Sequence, residues 1–123
     1  MSEIHGKLHW IFPDGELPPP GDSELKGHES IIVLNMSKTP ATVEVTLFFT
    51  DREPVCAKLE SVDGERVRCF RMDNPADIGG NVIPKETQYA IKLESDVPII
   101  AQYGRLDTRQ VNMAFYTTMG FSF

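Results

Sequence analysis

Apolar and polar residues alternate with period two over much of this chain, the spacing of a strand that buries one face and wets the other. In ATVEVTLFFT, Ala41, Val43, Val45, Leu47 and Phe49 share one face, with Thr42, Glu44, Thr46 and Thr50 on the other and Phe48 the exception. TQYAIKLE repeats the pattern with Tyr89, Ile91 and Leu93 against Gln88, Lys92 and Glu94, and ERVRCFRM sets Val67 and Cys69 against Arg66 and Arg68. ESIIVLN and VPIIAQYG are more continuously apolar, as central strands covered on both faces would be. With IHGKLHWIF, VCAKLES and VNMAFYTT the count reaches about eight strands. No segment carries a sustained helical stripe, so the pattern predicts an all-β fold, an antiparallel β-sandwich or jelly-roll-like barrel, as one domain over residues 1–123.

Turn residues refine this outline. Asp63-Gly64, between VCAKLES and ERVRCFRM, predicts a tight hairpin. PDGELPPPGDSELKG, from Pro13 to Gly27, is too rich in proline, glycine and acid for a central strand, and prolines 18 to 20 favour an extended conformation. MDNPADIGGNVIPKE, from Met72 to Glu86, is a second long connection, with room for a single helical turn near Asp73 to Ile78.

Charge narrows the function classes. Twelve basic against eighteen acidic residues leave a net charge of −6, which disfavours nucleic acid and anionic membranes as partners. The start, MSEIHGKLHWIF, lacks the basic and apolar regions of a signal peptide, and no run approaches the roughly 20 apolar residues of a membrane span. A soluble, cytoplasmic protein without membrane insertion is therefore expected, and Cys56 and Cys69 are expected to be free thiols.

Few residues suggest catalysis. His28-Glu29 begins like a zinc-protease helix, but Ile32 stands where the second histidine belongs. His5 and His9 share a face of an extended strand, and with His28 they make a three-histidine metal site the third reading of this chain, against ordinary polar histidines flanking Trp10. Cupin, phosphate-loop and nucleophile-elbow patterns are missing, and neither cysteine has a histidine nearby in sequence, so the expectation is a non-enzyme with no cofactor. Asp51-Arg52-Glu53-Pro54 and Asp73-Asn74-Pro75 read as turns.

Arg105-x-Asp107-x-Arg109, with Gln110 alongside, is the unusual feature. If the strand from Val97 continues, its odd positions carry an apolar half and then these charges on one face, unless a bulge at Gly104 resets the register or a hairpin corner spans Leu106 to Gln110. A carboxylate between two guanidinium groups holds them for bidentate capture of hydroxyls or carboxylates. Trp10, His28 and Glu29 would add an aromatic plate and placed polar groups. A salt-bridge network within or between subunits fits the same residues equally well.

HES, VLN, ATVEVTLFFTDREPV, RMDNP and ESDVPIIAQYGRLDTRQ together resemble the sensory rhodopsin transducer family, small soluble partners of a cyanobacterial sensory rhodopsin and their relatives in other bacteria. The likeness runs from about Trp10 to Gln110, and RLDTRQ with DREPV is its most specific part. It implies a β-sandwich subunit, a homotetramer and a cytosolic role in signalling or sensing, with sugars or related polar metabolites as ligands of members outside the photosensory setting. Asp51, Glu53, Asp73 and Gln110 fall on the family's recurring polar motifs, as do the candidate ligand-binding residues Trp10, His28, Glu29, Arg71, Arg105, Asp107 and Arg109. Cys69 stands where the rhodopsin partner leads one to expect histidine, and the segment after Gln110 differs, so the resemblance does not extend to rhodopsin coupling. The expected function is a non-enzymatic sensing domain for a polar, sugar-like small molecule; the alternative is an adaptor that docks a receptor or signalling protein through its tetramer face. The ending MGFSF, with Met119, Phe121 and Phe123 alternating, is too apolar for a free tail and is expected to pack on a neighbouring subunit or to be mobile.

Overall fold

A computed structural model describes residues 4–19, 21, 24–109 and 112–123. Eight strands form an antiparallel, two-layered β-structure: β1 (Lys7–Glu16), β2 (His28–Asn35), β3 (Val43–Phe49), β4 (Val55–Lys58), β5 (Arg66–Arg71), β6 (Gln88–Asp107), β7 (Ala114–Met119) and β8 (Phe121–Ser122). The only helical element among the described residues is a 3-10 turn at Pro75–Ile78, capped by Asn74, whose side chain accepts from the Ala76 N–H.

One strand belongs to both layers. The first half of β6 lies between β3 and β1 in the order β4-β3-β6-β1-β8, and its second half lies between β2 and β7 in the order β5-β2-β6-β7. TQYAIKLE and VPIIAQYG, which read as two strands, are thus a single 20-residue strand. The hand-over sits at Ser95 to Pro98. There β6 carries extra residues opposite Leu8, so Pro98 falls at an irregularity rather than in a regular ladder.

Odd positions of β6 face inward through Tyr103, as do Ile31 and Val33 of β2 and Val43, Val45 and Leu47 of β3. With Phe12, Phe70 and Ile78 they make one continuous core. The continuous register Glu29↔Arg105, Ser30↔Gly104, Ile31↔Tyr103 shows no bulge at Gly104. The strand therefore continues to Asp107, and the β6–β7 connection follows it.

Three local expectations are corrected. Asp63-Gly64 does not join a hairpin, because β4 pairs with β3 and β5 with β2; the positive φ there belongs to Glu65 (55°). Pro13 to Glu16 are part of β1, which bulges between Phe12 and Gly15 before pairing resumes, so the proline occupies an irregular stretch. Val67 and Cys69 point outward, with Val67 63% exposed, while Phe70 fills the core. The outer face of the β5-β2-β6-β7 layer is itself apolar: Leu34, Val67, Phe115 and Met119 are exposed there and Ile32, Ile100 and Leu106 half-buried. Nothing else among the described residues covers it, and an apolar residue on such a strand no longer identifies the inner face.

Gly120 makes the closing crossover, where the chain leaves β7 in one layer and joins β1 as β8 in the other. A Cβ at Gly120 would stand 2.4 Å from the Ile11 carbonyl oxygen and 2.8 Å from the Phe12 ring, so this approach requires glycine.

Candidate functional site

Glu29 is the centre of the polar residues. It alternates with Ile31 and Val33 along β2, which turns it into the interior, where it is completely buried. A buried carboxylate must be paired and hydrogen-bonded. Tyr89 Oη donates to Glu29 Oε1 (2.8 Å), the Glu16 backbone N–H donates to Oε2 (3.1 Å), and Arg105 is its cross-strand neighbour. Burial pushes the Glu29 carboxyl above the usual carboxylate range, against the opposing pull of those two hydrogen bonds and of Arg105. Burial and the adjoining Glu29 charge hold the Tyr89 phenol far above its ordinary value.

The other candidates lie at the same end of the fold, Arg105 on the inner face with Glu29, and His28 and Arg71 on the outer side of β2 and β5. Arg105 forms a 4.0 Å ion pair with Glu16. Arg109, just beyond β6, folds back on Asp107 with Nε 3.0 Å from each carboxylate oxygen, and its backbone N–H also donates to Oδ1 (3.0 Å). Arg71 grips Asp73 in a fork, Nε to Oδ1 at 2.8 Å and Nη2 to Oδ2 at 2.7 Å. His28 bonds the Lys26 carbonyl through Nδ1 (3.0 Å) and lies within electrostatic reach of Asp73. The two long connections meet beside them, where the Glu86 N–H donates to the Leu17 carbonyl (2.8 Å), leaving a recess of about 220 Å³ lined by Leu17, Asp73 and Lys85 among others.

Six of the seven candidates are thus brought to one end of the fold, and Trp10 is not. Its indole N–H donates to the carbonyls of Lys7 (3.2 Å) and Ile99 (3.1 Å), and it is 5% exposed within the core. Ile99 lies six positions of β6 from Arg105, roughly 20 Å at the strand rise. Tryptophan at this position serves packing, because its N–H finds partners inside the fold. His5, His9 and His28 do not converge either: His9 stacks on Phe123 and faces Glu94, far along β6 from His28 opposite Leu106. Gln110 lies outside the described residues.

Sequence reasoning missed two members of the cluster. Tyr89 reads only as an apolar inward position, and Glu16 only as part of an acidic loop. The signal was the alternation itself, which placed Tyr89 on the same inner face that Glu29 shares.

The comparisons with known proteins bear on this arrangement. A sequence profile described as Anabaena sensory rhodopsin transducer matches residues 5–122. The chain belongs to the sensory rhodopsin transducer family. Among solved structures, Thermotoga maritima 1070 superposes with a TM-score of 0.87 at 30% identity, over 98% of this chain and 97% of that one. The Anabaena sensory rhodopsin transducer superposes with a TM-score of 0.70 at 32% identity, over 83% of this chain and 97% of its own. A search of the curated proteins finds no match. The all-β architecture is therefore that of the sensory rhodopsin transducer family, and no helix among the described residues is long and apolar enough to cross a membrane.

The cluster predicts an acid-sensitive stability profile. For Asp73, burial raises the carboxyl, but Arg71's hydrogen bonds and charge outweigh it; for Asp107, Arg109's side chain and N–H pull it down. Both contribute stability above the ordinary carboxylate range, which is lost as pH falls through their depressed folded values. Glu29 has the opposite sign: its contribution is complete below its unfolded value and is lost as pH rises through the raised folded one. Melting temperature followed against pH should therefore peak on the acid side of neutral, and Glu29→Gln should flatten the limb above the peak. A wild-type profile that rises steadily to neutrality would contradict the Glu29 environment.

Proposed function

We propose that this chain is a non-enzymatic, cytoplasmic signalling module that acts through protein contacts: it assembles with copies of itself through the outer face of the β5-β2-β6-β7 layer and engages a receptor as that assembly. One observation carries the reading, the uncovered apolar face on which Leu34, Val67, Phe115 and Met119 are exposed. Contiguous apolar surface of this kind marks an interaction site. At its middle Gly104 has no side chain, and a recess of about 230 Å³ opens among Ile32, Cys69, Leu106 and Phe115, shaped to accept an apolar group from a neighbour. Family membership supports transduction as the role, and a closed homotetramer is the assembly that would cover this face in every copy.

Light scattering tests it. Wild-type protein should run at a multiple of the 13.8 kDa chain mass, fourfold for the tetramer, and Ile32→Glu should run as a folded monomer. A monomeric wild type at micromolar concentration sinks the reading.

A second reading, a polar and sugar-like metabolite bound at the Glu29 end, is favoured by Arg105. Its ion pair with Glu16 is too long for a hydrogen bond, so guanidinium donors remain for a hydroxyl or carboxylate. A thermal-shift screen of sugars and sugar acids should then raise the melting temperature for some compound, and Arg105→Ala should remove that rise while the assembly persists.

A further inference from the structure

The recess beneath the Gly120 crossover lies apart from the apolar outer face and adjoins the Glu29 cluster, where the charge of its Asp14 reaches Glu29. About 300 Å³ in volume, it is lined by Phe12, Pro13, Asp14, Tyr103, Thr118 and Met119, with Gly120 at the crossover itself. Its origin is visible in the strands. β1 bulges at Pro13-Asp14, and β7, which pairs with β6 on one side only, leaves Tyr116 and Thr118 exposed on the face they share with Tyr103. The layers therefore do not close on each other at this edge.

Two features of its lining are unusual. Tyr103 is 2% exposed, and its hydroxyl is buried with no hydrogen-bond partner among the described residues. Buried polar groups are nearly always paired, and an exception calls for a group that completes it. Asp14 is exposed beside it, and its Oδ1 accepts only from the neutral amide of Gln88 (3.2 Å) among the described residues. The aromatic part of the lining is Phe12 with Tyr103, their rings 6.4 Å apart, and the Tyr116 ring packs 6.2 Å from Tyr103 next to the recess.

We propose that this recess binds a small organic amine with an apolar body. The ammonium pairs with the Asp14 carboxylate and donates a hydrogen bond to the Tyr103 hydroxyl oxygen, while the apolar body lies against Phe12, Pro13 and Met119. Aromatic faces attract such a cation as well as its hydrocarbon part. The chain's net charge of −6 favours a cationic ligand over an anionic one. The volume lies at the small end of ligand pockets, which limits the occupant to a single ring or a short chain.

The test is a titration of the full chain with benzylamine, and with benzyl alcohol as its neutral counterpart, followed by amide NMR shifts. Benzylamine should give saturable shifts at Phe12, Tyr103, Thr118 and Gly120, with benzyl alcohol at least tenfold weaker. Asp14→Asn should remove that preference. Tyr103→Phe should weaken benzylamine several-fold while leaving the melting temperature of the free protein unchanged or raised, because it deletes an unpaired buried hydroxyl. Equal binding of the two probes, no saturable shift at millimolar benzylamine, or a Tyr103→Phe variant that is less stable when free would each overturn the proposal.

Discussion

Replacing Glu29 by alanine should lower the unfolding free energy by about 2–5 kcal/mol, the scale for leaving two donors at a buried site without their acceptor. The substitution strips the Tyr89 hydroxyl and the Glu16 N–H of their acceptor, and it leaves Arg105 facing an empty site across β2 and β6. Each unpaired buried group adds its own desolvation cost. Tyr89→Phe removes one hydrogen bond and should cost roughly 1–3 kcal/mol. Urea denaturation at fixed protein concentration measures both, and a Glu29→Ala loss below about 1 kcal/mol would show that the carboxylate is not the organiser of this end.

Trp10→Ala should have a comparable effect, about 3–5 kcal/mol, for a different reason. The indole is buried in the middle of β1, opposite Leu93, and its N–H joins the carbonyls of Lys7 and Ile99 where the two strands lose regular register. Removing it opens a cavity and orphans those carbonyls. The Glu29 cluster is untouched by the change, so the acid limb set by Asp73 and Asp107 should persist in the variant. Loss of that limb together with stability would mean that the tryptophan supports the polar end after all.

These two residues also show how far the chain could be read without coordinates. Regular alternation located β3 and the first half of β6 with the correct inner faces, because one side of each is wet and the pattern is unambiguous. The same rule failed for Val67 and Cys69, since β5 lies in a layer whose outer surface is apolar too. TQYAIKLE and VPIIAQYG read as two strands, yet Ser95 to Pro98 are the step by which one strand, β6, passes between layers: Asp96 Oδ1 accepts from the Thr42 N–H (2.7 Å), and Val97 N–H donates to Ser95 Oγ (3.4 Å). Arg105, Asp107 and Arg109 were recognisable as a unit because strand spacing puts them on one face. That Arg105 turns to the Glu29 side while Asp107 is clamped by Arg109 depends on neighbours brought from β1 and β2, which no local spacing encodes. Trp10 was grouped with them on chemical type alone, and chemical type says nothing about which end of a strand a ring occupies.

The shared strand has a kinetic meaning. β6 pairs with β1, β2, β3 and β7, so four of the seven ladders among the described strands wait on the same 20 residues, and its partners come from both ends of the chain. Contacts of that sequence separation are entropically late, which places this domain among slow folders. Once formed, the two layers are tied together through one continuous strand, so opening either layer loosens an end of the strand on which the other is built.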